Sequence, residues 1–397
     1  MPDTGTSVEA SSGQHLTAEQ MSIRELARRL AREVIRPSSA EYDRSRAVPK
    51  DVLERLHQTG LTTLAIPESL GGGGVTGALE SALVAEELAW GCAGIYSYLS
   101  GTNMYVATVA DSGTEDQKAR WLRPLCAEKF AAAAFACTEP EAGSDVSGIK
   151  TVAKATEGGY LLRGQKTFIT NAGLASAMAV LASTAPELGS SGLTMFLIRG
   201  DVPGLSCGPP IRMMGWRAAV NSDVFFDDVF VPTEDILGTI GAGNEIATRV
   251  FERSRIDVAA ASLGITRAAL EYAVDYANTR VAFGKKIRSY QGLSFPLADV
   301  ATSLRAARLL TWDSARACDR GEDFGVLASM AKLFASETAI RATYQAIQVL
   351  GGHGYTEEHP VEKWYRDARL ETIEEGTSEI QRLIISRALH RGELDLS

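Results

Sequence analysis

The chain has 397 residues, is 45% hydrophobic and 22% charged, and carries a formal net charge of −9. That length holds two or three domains with substantial cores, and an acidic balance without a Lys/Arg cluster argues against a nucleic-acid partner. The longest apolar run, residues 130–137, is far too short to span a bilayer, so no membrane span is expected.

Residues 1–16 contain no apolar signal core and no arginine, so they read as a disordered tail, not a secretory or transit segment. From 17 to 130 the pattern is helical. Ile23, Leu26, Ala27, Leu30, Ala31 and Val34 recur at helix spacing, Thr17 and Gln20 form a capping box, and Pro37 closes the segment. From 131 to 243 short apolar stretches alternate with Gly, Pro, Asn and Asp turns, the texture of an antiparallel sheet or barrel. From 244 to 397 long alanine-rich helices return. Helices, strands, then helices predict an α+β chain with a β-domain between two helical domains. Five scattered cysteines (Cys92, Cys126, Cys137, Cys207 and Cys318), with no C-x-x-C, indicate a reducing compartment, and the cytoplasm is the expected location. Five histidines without ligand spacing give no metal site.

Two motifs fail on context. Gly72–Gly77 matches G-x-G-x-x-G but lacks a preceding strand and a βαβ unit, so a structural glycine turn is expected. Gly204–Gly208 matches G-x-S-x-G, yet Pro209 and Pro210 deny the helix that a nucleophile elbow requires.

Other segments have more to offer. In "FACTEPEAGSD" (135–145), Thr138 and Ser144 are hydroxyl donors and Gly143 lets backbone approach a ligand, while Glu139, Pro140 and Asp145 can fix the loop. In "KTFITNAG" (166–173), Phe168 and Thr170 present a ring and a hydroxyl on one strand face. "TRVAFGKKI" (279–287) and "QVLGGHGY" (348–355) follow. In "ETIEEGTSEIQR" (371–382), Thr377 or Ser378 can cap a helix, and Glu374 and Glu375 precede a glycine at its N-terminus. Taken alone that is either a solvated acidic turn or a carboxylate held over a site for negative charge.

The order and spacing of these five segments resemble the acyl-CoA dehydrogenase family, its medium- and short-chain branches most closely, over nearly the whole chain. The resemblance implies an N-terminal helical domain, a central β-domain and a C-terminal four-helix bundle, with FAD between the latter two. It places Phe135, Cys137, Thr138, Gly143, Phe168 and Thr170 at the flavin and Thr377 at its diphosphate or ribityl region. Arg280, Phe283, Gln348 and Gly352 would hold the ADP part of a neighbouring subunit's FAD, so an obligate oligomer, a tetramer of two dimers, is implied. Ser144, Glu252, Arg255, Glu374 and Gly376 would contact the acyl-CoA.

The resemblance makes Glu375 the base that takes the α-proton of an acyl thioester, with the β-hydrogen leaving as hydride to flavin N5 to give a trans-2-enoyl product. The residue type suits the chemistry, since a weakly acidic α-proton needs a positioned base and a stabilised enolate. Branches that carry the base on the first bundle helix would have it at Ser254, and serine cannot serve. An electron-transfer flavoprotein would receive the electrons, and the thioester carrier is CoA or an acyl carrier protein. A same-fold oxidase or monooxygenase and a non-catalytic flavin or CoA scaffold are the alternatives. Glu374 departs from the commoner tyrosine. Two carboxylates about 6 Å apart at an effective dielectric of about 20 repel by roughly 2.8 kcal/mol, about two pKa units. Glu374 is therefore expected to reach solvent, to pair with a cation such as Arg366 or Arg369, to tune the base, or to line a pocket for a polar acyl chain.

Overall fold

The computed structural model describes residues 15–394, so most of the tail expected over 1–16 lies outside the described residues. Helix α1 (Ala18–Leu30) opens on the expected capping box: the Gln20 N–H donates to Thr17 Oγ1 (3.1 Å), and the Thr17 N–H donates to Gln20 Oε1 (2.9 Å). Pro37 falls in the short 3-10 turn that ends this segment. Helices α2 (Ser39–Ser45), α3 (Lys50–Gln58), α4 (Ala78–Ser112) and α5 (Glu115–Leu122) follow. Helix α4 breaks at Cys92, whose backbone is extended (φ −166°, ψ 113°). The glycines at 72–74 form a turn hydrogen-bonded back to Thr63, Ile66 and Pro67, and a Cβ at Gly72 would lie 2.2 Å from the Ile66 carbonyl oxygen. That turn is structural, as expected.

Strands β1 (Ala132–Ala136), β2 (Val152–Thr156), β3 (Gly159–Thr170), β4 (Ala175–Ser183), β5 (Leu193–Arg199), β6 (Leu205–Cys207), β7 (Asn221–Pro232) and β8 (Ile236–Leu237) form one sheet. Its order is β6-β7-β3-β2-β4-β5-β8, with β1 joined to β4. Most neighbours are antiparallel; β1–β4 and the short β2–β4 contact are parallel. "GLSCG" contains the edge strand β6, with Gly204 at φ 85°, and no helix follows. One sheet face packs on α4 and α5, whose Tyr105, Val109 and Trp121 join Phe135, Leu181 and Leu197 in one core cluster.

Helix α6 (Gly243–Thr279) leads to a hairpin, β9 (Val281–Ala282) and β10 (Lys285–Lys286), then to α7 (Gln291–Asp319), α8 (Gly325–Leu350), α9 (Val361–Glu371) and α10 (Ser378–Arg391). Alanine and glycine faces bring these helices close together. A Cβ at Gly264 on α6 would meet the Glu86 carbonyl oxygen of α4 at 2.3 Å. The α4–α6–α7 contact buries Glu86 and Glu87 against Arg267 and Arg308, and Arg308 Nη2 lies 2.7 Å from Glu86 Oε1. Removing one partner there would strand a buried charge. Among the described residues no helix is long and apolar enough to cross a membrane.

Candidate active site

Helix α9 is pinned before it delivers the acidic turn. Trp216 N–H donates to Asp367 Oδ1 (2.6 Å), buried Lys363 donates to Asp367 Oδ2 (2.5 Å), and Arg366 Nη2 donates to Asp43 Oδ2 (2.7 Å) and reaches Glu362. Gly215 lies against the same helix: a Cβ there would meet the Arg366 carbonyl oxygen at 2.3 Å. Arg366 is therefore engaged with other carboxylates, and Arg369 donates to Thr372. The arginine partners expected for Glu374 are spoken for.

Past α9 the chain reverses through Glu375 (φ 50°) and Gly376 (φ 95°), both left-handed. Thr377 then caps α10 by accepting from the Ile380 N–H at 3.4 Å. Such a backbone suits Gly376 and strains Glu375, and strain of this kind persists where neighbours over-determine it. Three neighbours do so. Arg255 Nε donates to the Glu375 carbonyl (3.3 Å), Gln381 Nε2 donates to both the Glu375 and Gly376 carbonyls (3.3 and 2.8 Å), and Lys332 Nζ donates to the Gly376 carbonyl (2.9 Å). Among the described residues the N–H groups of Glu375, Gly376 and Thr377 meet no backbone acceptor, leaving donors at a helix N-terminus.

The carboxylates here are enclosed. Glu375 Oε2, Glu374 Oε1 and Glu371 Oε1 are all shut off from solvent without a hydrogen-bond partner. Burial, then the neighbouring Glu374, raises the Glu375 carboxyl to about 8; Ser254 and Lys332 pull it back. Ser254 Oγ itself donates to the Phe251 carbonyl at 3.2 Å. Burial raises Glu374 to about 7 against the attraction of Lys332. Glu371 Oε2 accepts from Ser262 Oγ (3.2 Å), and burial and Glu374 push its carboxyl well up. Lys332 is fully buried; burial lowers its ammonium, and Glu374, Glu371 and Glu375 oppose that. Lys332 on α8 thus counters the charge of Glu374, and Glu374 raises the proton affinity of its neighbour. Sequence reasoning missed Lys332, Glu371 and Gln381. The available signal was a lone lysine in the small, apolar stretch "SMAKLFAS".

The other candidate residues fall into two groups. Phe135 and Cys137 are buried at the end of β1, where burial raises the Cys137 thiol to about 11. The loop after them is fixed through Glu139, which accepts from Lys166 Nζ (2.7 Å) and the Lys150 and Thr151 N–H groups (2.6 and 3.0 Å). Asp145 accepts from the Ser147 N–H at 3.1 Å, and Gly143 and Ser144 are exposed beside it. Thr138 is half-buried, its carbonyl accepting from the Thr167 N–H (2.9 Å). The expected alternation at Phe168 and Thr170 is interrupted by a bulge in β3 between Lys166 and Ile169. There Phe168 takes φ 57° and stays 56% exposed, while Thr170 Oγ1 donates to Asn221 Oδ1 (2.8 Å). A bulge re-aims a side chain in this way.

Phe283 tops the β9–β10 hairpin with Gly284, both at positive φ (49° and 79°), as a two-residue primed turn requires. Its ring is 96% exposed. Arg280 at the hairpin base and Gln348 and Gly352 at the end of α8 are exposed too. Glu252 is half-buried on α6, and burial raises its carboxyl against the pull of Arg255. Among the described residues no group of three or more His, Cys, Asp or Glu could hold a metal ion.

The residues fit a flavin dinucleotide. An aromatic ring stands exposed on a bulge, free backbone donors gather at the α10 N-terminus, and the buried Ser378 Oγ and Gln381 Oε1 lack partners beside them. Known proteins agree. Family models described as "Acyl-CoA dehydrogenase" match the N-terminal domain over 17–129, the middle domain over 134–229 and the C-terminal domain over 241–390. The short-chain specific acyl-CoA dehydrogenase of Homo sapiens mitochondria is 40% identical over 366 residues, 92% of this chain and 88% of that protein. Butyryl-CoA dehydrogenase from Megasphaera elsdenii superposes with a TM-score of 0.92 at 38% identity, covering 95% of this chain and 99% of that one. The FAD complex of PigA superposes at 0.90 with 30% identity, covering 95% and 98%. The chain belongs to the acyl-CoA dehydrogenase family, and its cofactor is FAD.

Proposed function

We propose that this enzyme removes the α-proton and β-hydrogen of an acyl-CoA, giving the trans-2-enoyl thioester, with Glu375 as the base. The observation that carries the reading is a carboxylate with its Oε2 shut from solvent and unpartnered, on a left-handed turn whose two carbonyls are clamped by Arg255, Gln381 and Lys332. FAD, when bound, supplies the acceptor for the β-hydride. Burial keeps the Glu375 carboxyl near neutrality in affinity, which suits a base that must first be free and then hold a proton. The free N–H of Glu375 is available to an enolate oxygen, and Arg255 and Lys332 bring positive charge near the developing anion. Burial, then Glu374, raise the proton affinity of the base, and Ser254 and Lys332 lower it; Ser254 cannot replace it as the base.

Phe135, Cys137, Thr138, Gly143, Phe168, Thr170 and Thr377 would line the flavin, and Ser144, Glu252, Arg255, Glu374 and Gly376 the acyl-CoA. The exposure of Arg280, Phe283, Gln348 and Gly352 supports their covering a neighbouring subunit's cofactor, hence a tetramer of two dimers. We place the domain boundaries at 130/131 and 243/244, the acceptor as an electron-transfer flavoprotein and the enzyme in the cytoplasm. The names of the human and Megasphaera relatives favour a short acyl chain. Anaerobic addition of butyryl-CoA to the purified yellow holoenzyme should bleach the flavin absorbance; a spectrum unmoved by any acyl-CoA would end the proposal.

A further inference from the structure

Lys166 lies at the edge of the β3 bulge, with its side chain completely buried in the β-domain. Its Nζ donates to the Cys137 carbonyl (2.9 Å) and to Glu139 Oε1 (2.7 Å), forming an ion pair whose side chains are 0% and 5% exposed. Glu139 also accepts from the Lys150 and Thr151 N–H groups, so the loop already satisfies much of its carboxylate. A buried ion pair is a weak source of stability, and an apolar pair of similar volume often serves as well. What an apolar side chain cannot supply is the donor to the Cys137 carbonyl.

That bond fixes a peptide plane. The Cys137–Thr138 peptide is trans, so its N–H points opposite to its carbonyl. With the carbonyl turned inward to Lys166, the Thr138 N–H is turned the other way, and among the described residues it meets no backbone acceptor. The next carbonyl, that of Thr138, accepts from the Thr167 N–H at 2.9 Å, one residue along β3 from Lys166. Strand β3 therefore grips two successive carbonyls of the loop and leaves the amide between them free. The exposed Phe168 ring follows directly on the same bulge.

Resting on the reading that puts Thr138 and Phe168 at the flavin, we propose that Lys166 is a positioning residue for the cofactor, holding the Thr138 N–H as a donor towards the flavin ring. Reduction adds electron density to the carbonyl oxygens and nitrogens of that ring. A fixed N–H donor stabilises the electron-rich form more than the oxidised one. Lys166 thereby raises the reduction potential of the flavin without touching it.

The test is a dithionite titration of the holoenzyme against a reference dye, which reads the potential without acyl-CoA or Glu375. Lys166→Met alone would strand the Glu139 charge, so the main variant is charge-balanced, Lys166→Met with Glu139→Gln. At a given potential it should lower the ratio of reduced to oxidised flavin about tenfold, which is about 30 mV for a two-electron couple. Glu139→Gln alone breaks the same ion pair but leaves the donor, and it should not lower that ratio. A merely structural pair would move both variants alike or neither, and either result overturns the inference. Should loss of Lys166 prevent folding, hydrogen exchange in wild type decides instead. The Thr138 amide should exchange freely in the apoprotein and become protected when FAD is added; an amide that FAD leaves unchanged overturns the inference. Failure of every acyl-CoA to reduce a flavin whose potential behaves as expected would count against the dehydrogenase reading and leave the role of Lys166 standing.

Discussion

Lys332 Nζ donates to the Gly376 carbonyl at 2.9 Å, so a buried ammonium on α8 holds the turn that carries the Glu375 carboxylate. The same ammonium faces Glu371, Glu374 and Glu375, and it acts both as a clamp and as a counter-charge. Lys332→Met removes both. Because Lys332 lowers the proton affinity of Glu375, its loss should move the acid limb of the pH–rate profile for flavin reduction to higher pH. A lower rate with an unmoved limb would reduce the lysine to a clamp.

Glu374 acts with the opposite sign. It is the second cause, after burial, of the raised Glu375 carboxyl. Glu374→Gln deletes that repulsion, so the acid limb, expected near pH 8 in wild type, should move down by about one to two units. Stopped-flow reduction across pH 6–10 reads the shift (a range of about four units spans both limbs). A profile superimposable on wild type would mean that Glu374 does not feel Glu375.

Gly376 sits at φ 95°, and a Cβ there would approach Gln381 Nε2 to 2.8 Å. Gly376→Ala should therefore cost about 1–2 kcal/mol of stability, displace the Gln381 amide and slow flavin reduction. Thermal unfolding and turnover should fall together; unchanged turnover would show that the turn tolerates a different shape.

Arg280 and Phe283 project from the hairpin, and the Phe283 ring, which meets Tyr290 edge-on at 6.3 Å between centroids, is still 96% exposed. Arg280→Ala should lower the FAD content after gel filtration through loss of a charge-assisted contact to phosphate. Light scattering on the same sample checks assembly. A monomer with full flavin content would contradict a cofactor site shared between subunits.

The parts of this molecule that were legible in its sequence are those whose signal is local. The Thr17–Gln20 box and the Thr377 cap each rest on a neighbour three residues away, and the glycine turn at 72–74 on partners five to ten residues back. The helix–strand–helix order followed from periodicity. The parallel pairing of β1 with β4 did not, because nothing in either alanine-rich strand names its partner. The β3 bulge that exposes Phe168 was hidden for a related reason: it is a register slip against β7. Glu375 could be named from its motif, whereas its surroundings could not. Lys332 arrives on α8 and Arg255 on α6, so packing alone brings them to the turn.

Glu375→Gln keeps the shape of the side chain and removes its ability to take a proton, and rapid anaerobic mixing with acyl-CoA measures that loss directly. The variant should bind FAD and perturb its spectrum with acyl-CoA as wild type does, while reduction becomes too slow to detect. Reduction within about tenfold of the wild-type rate, only about 1.4 kcal/mol of barrier, would show that the base is another residue.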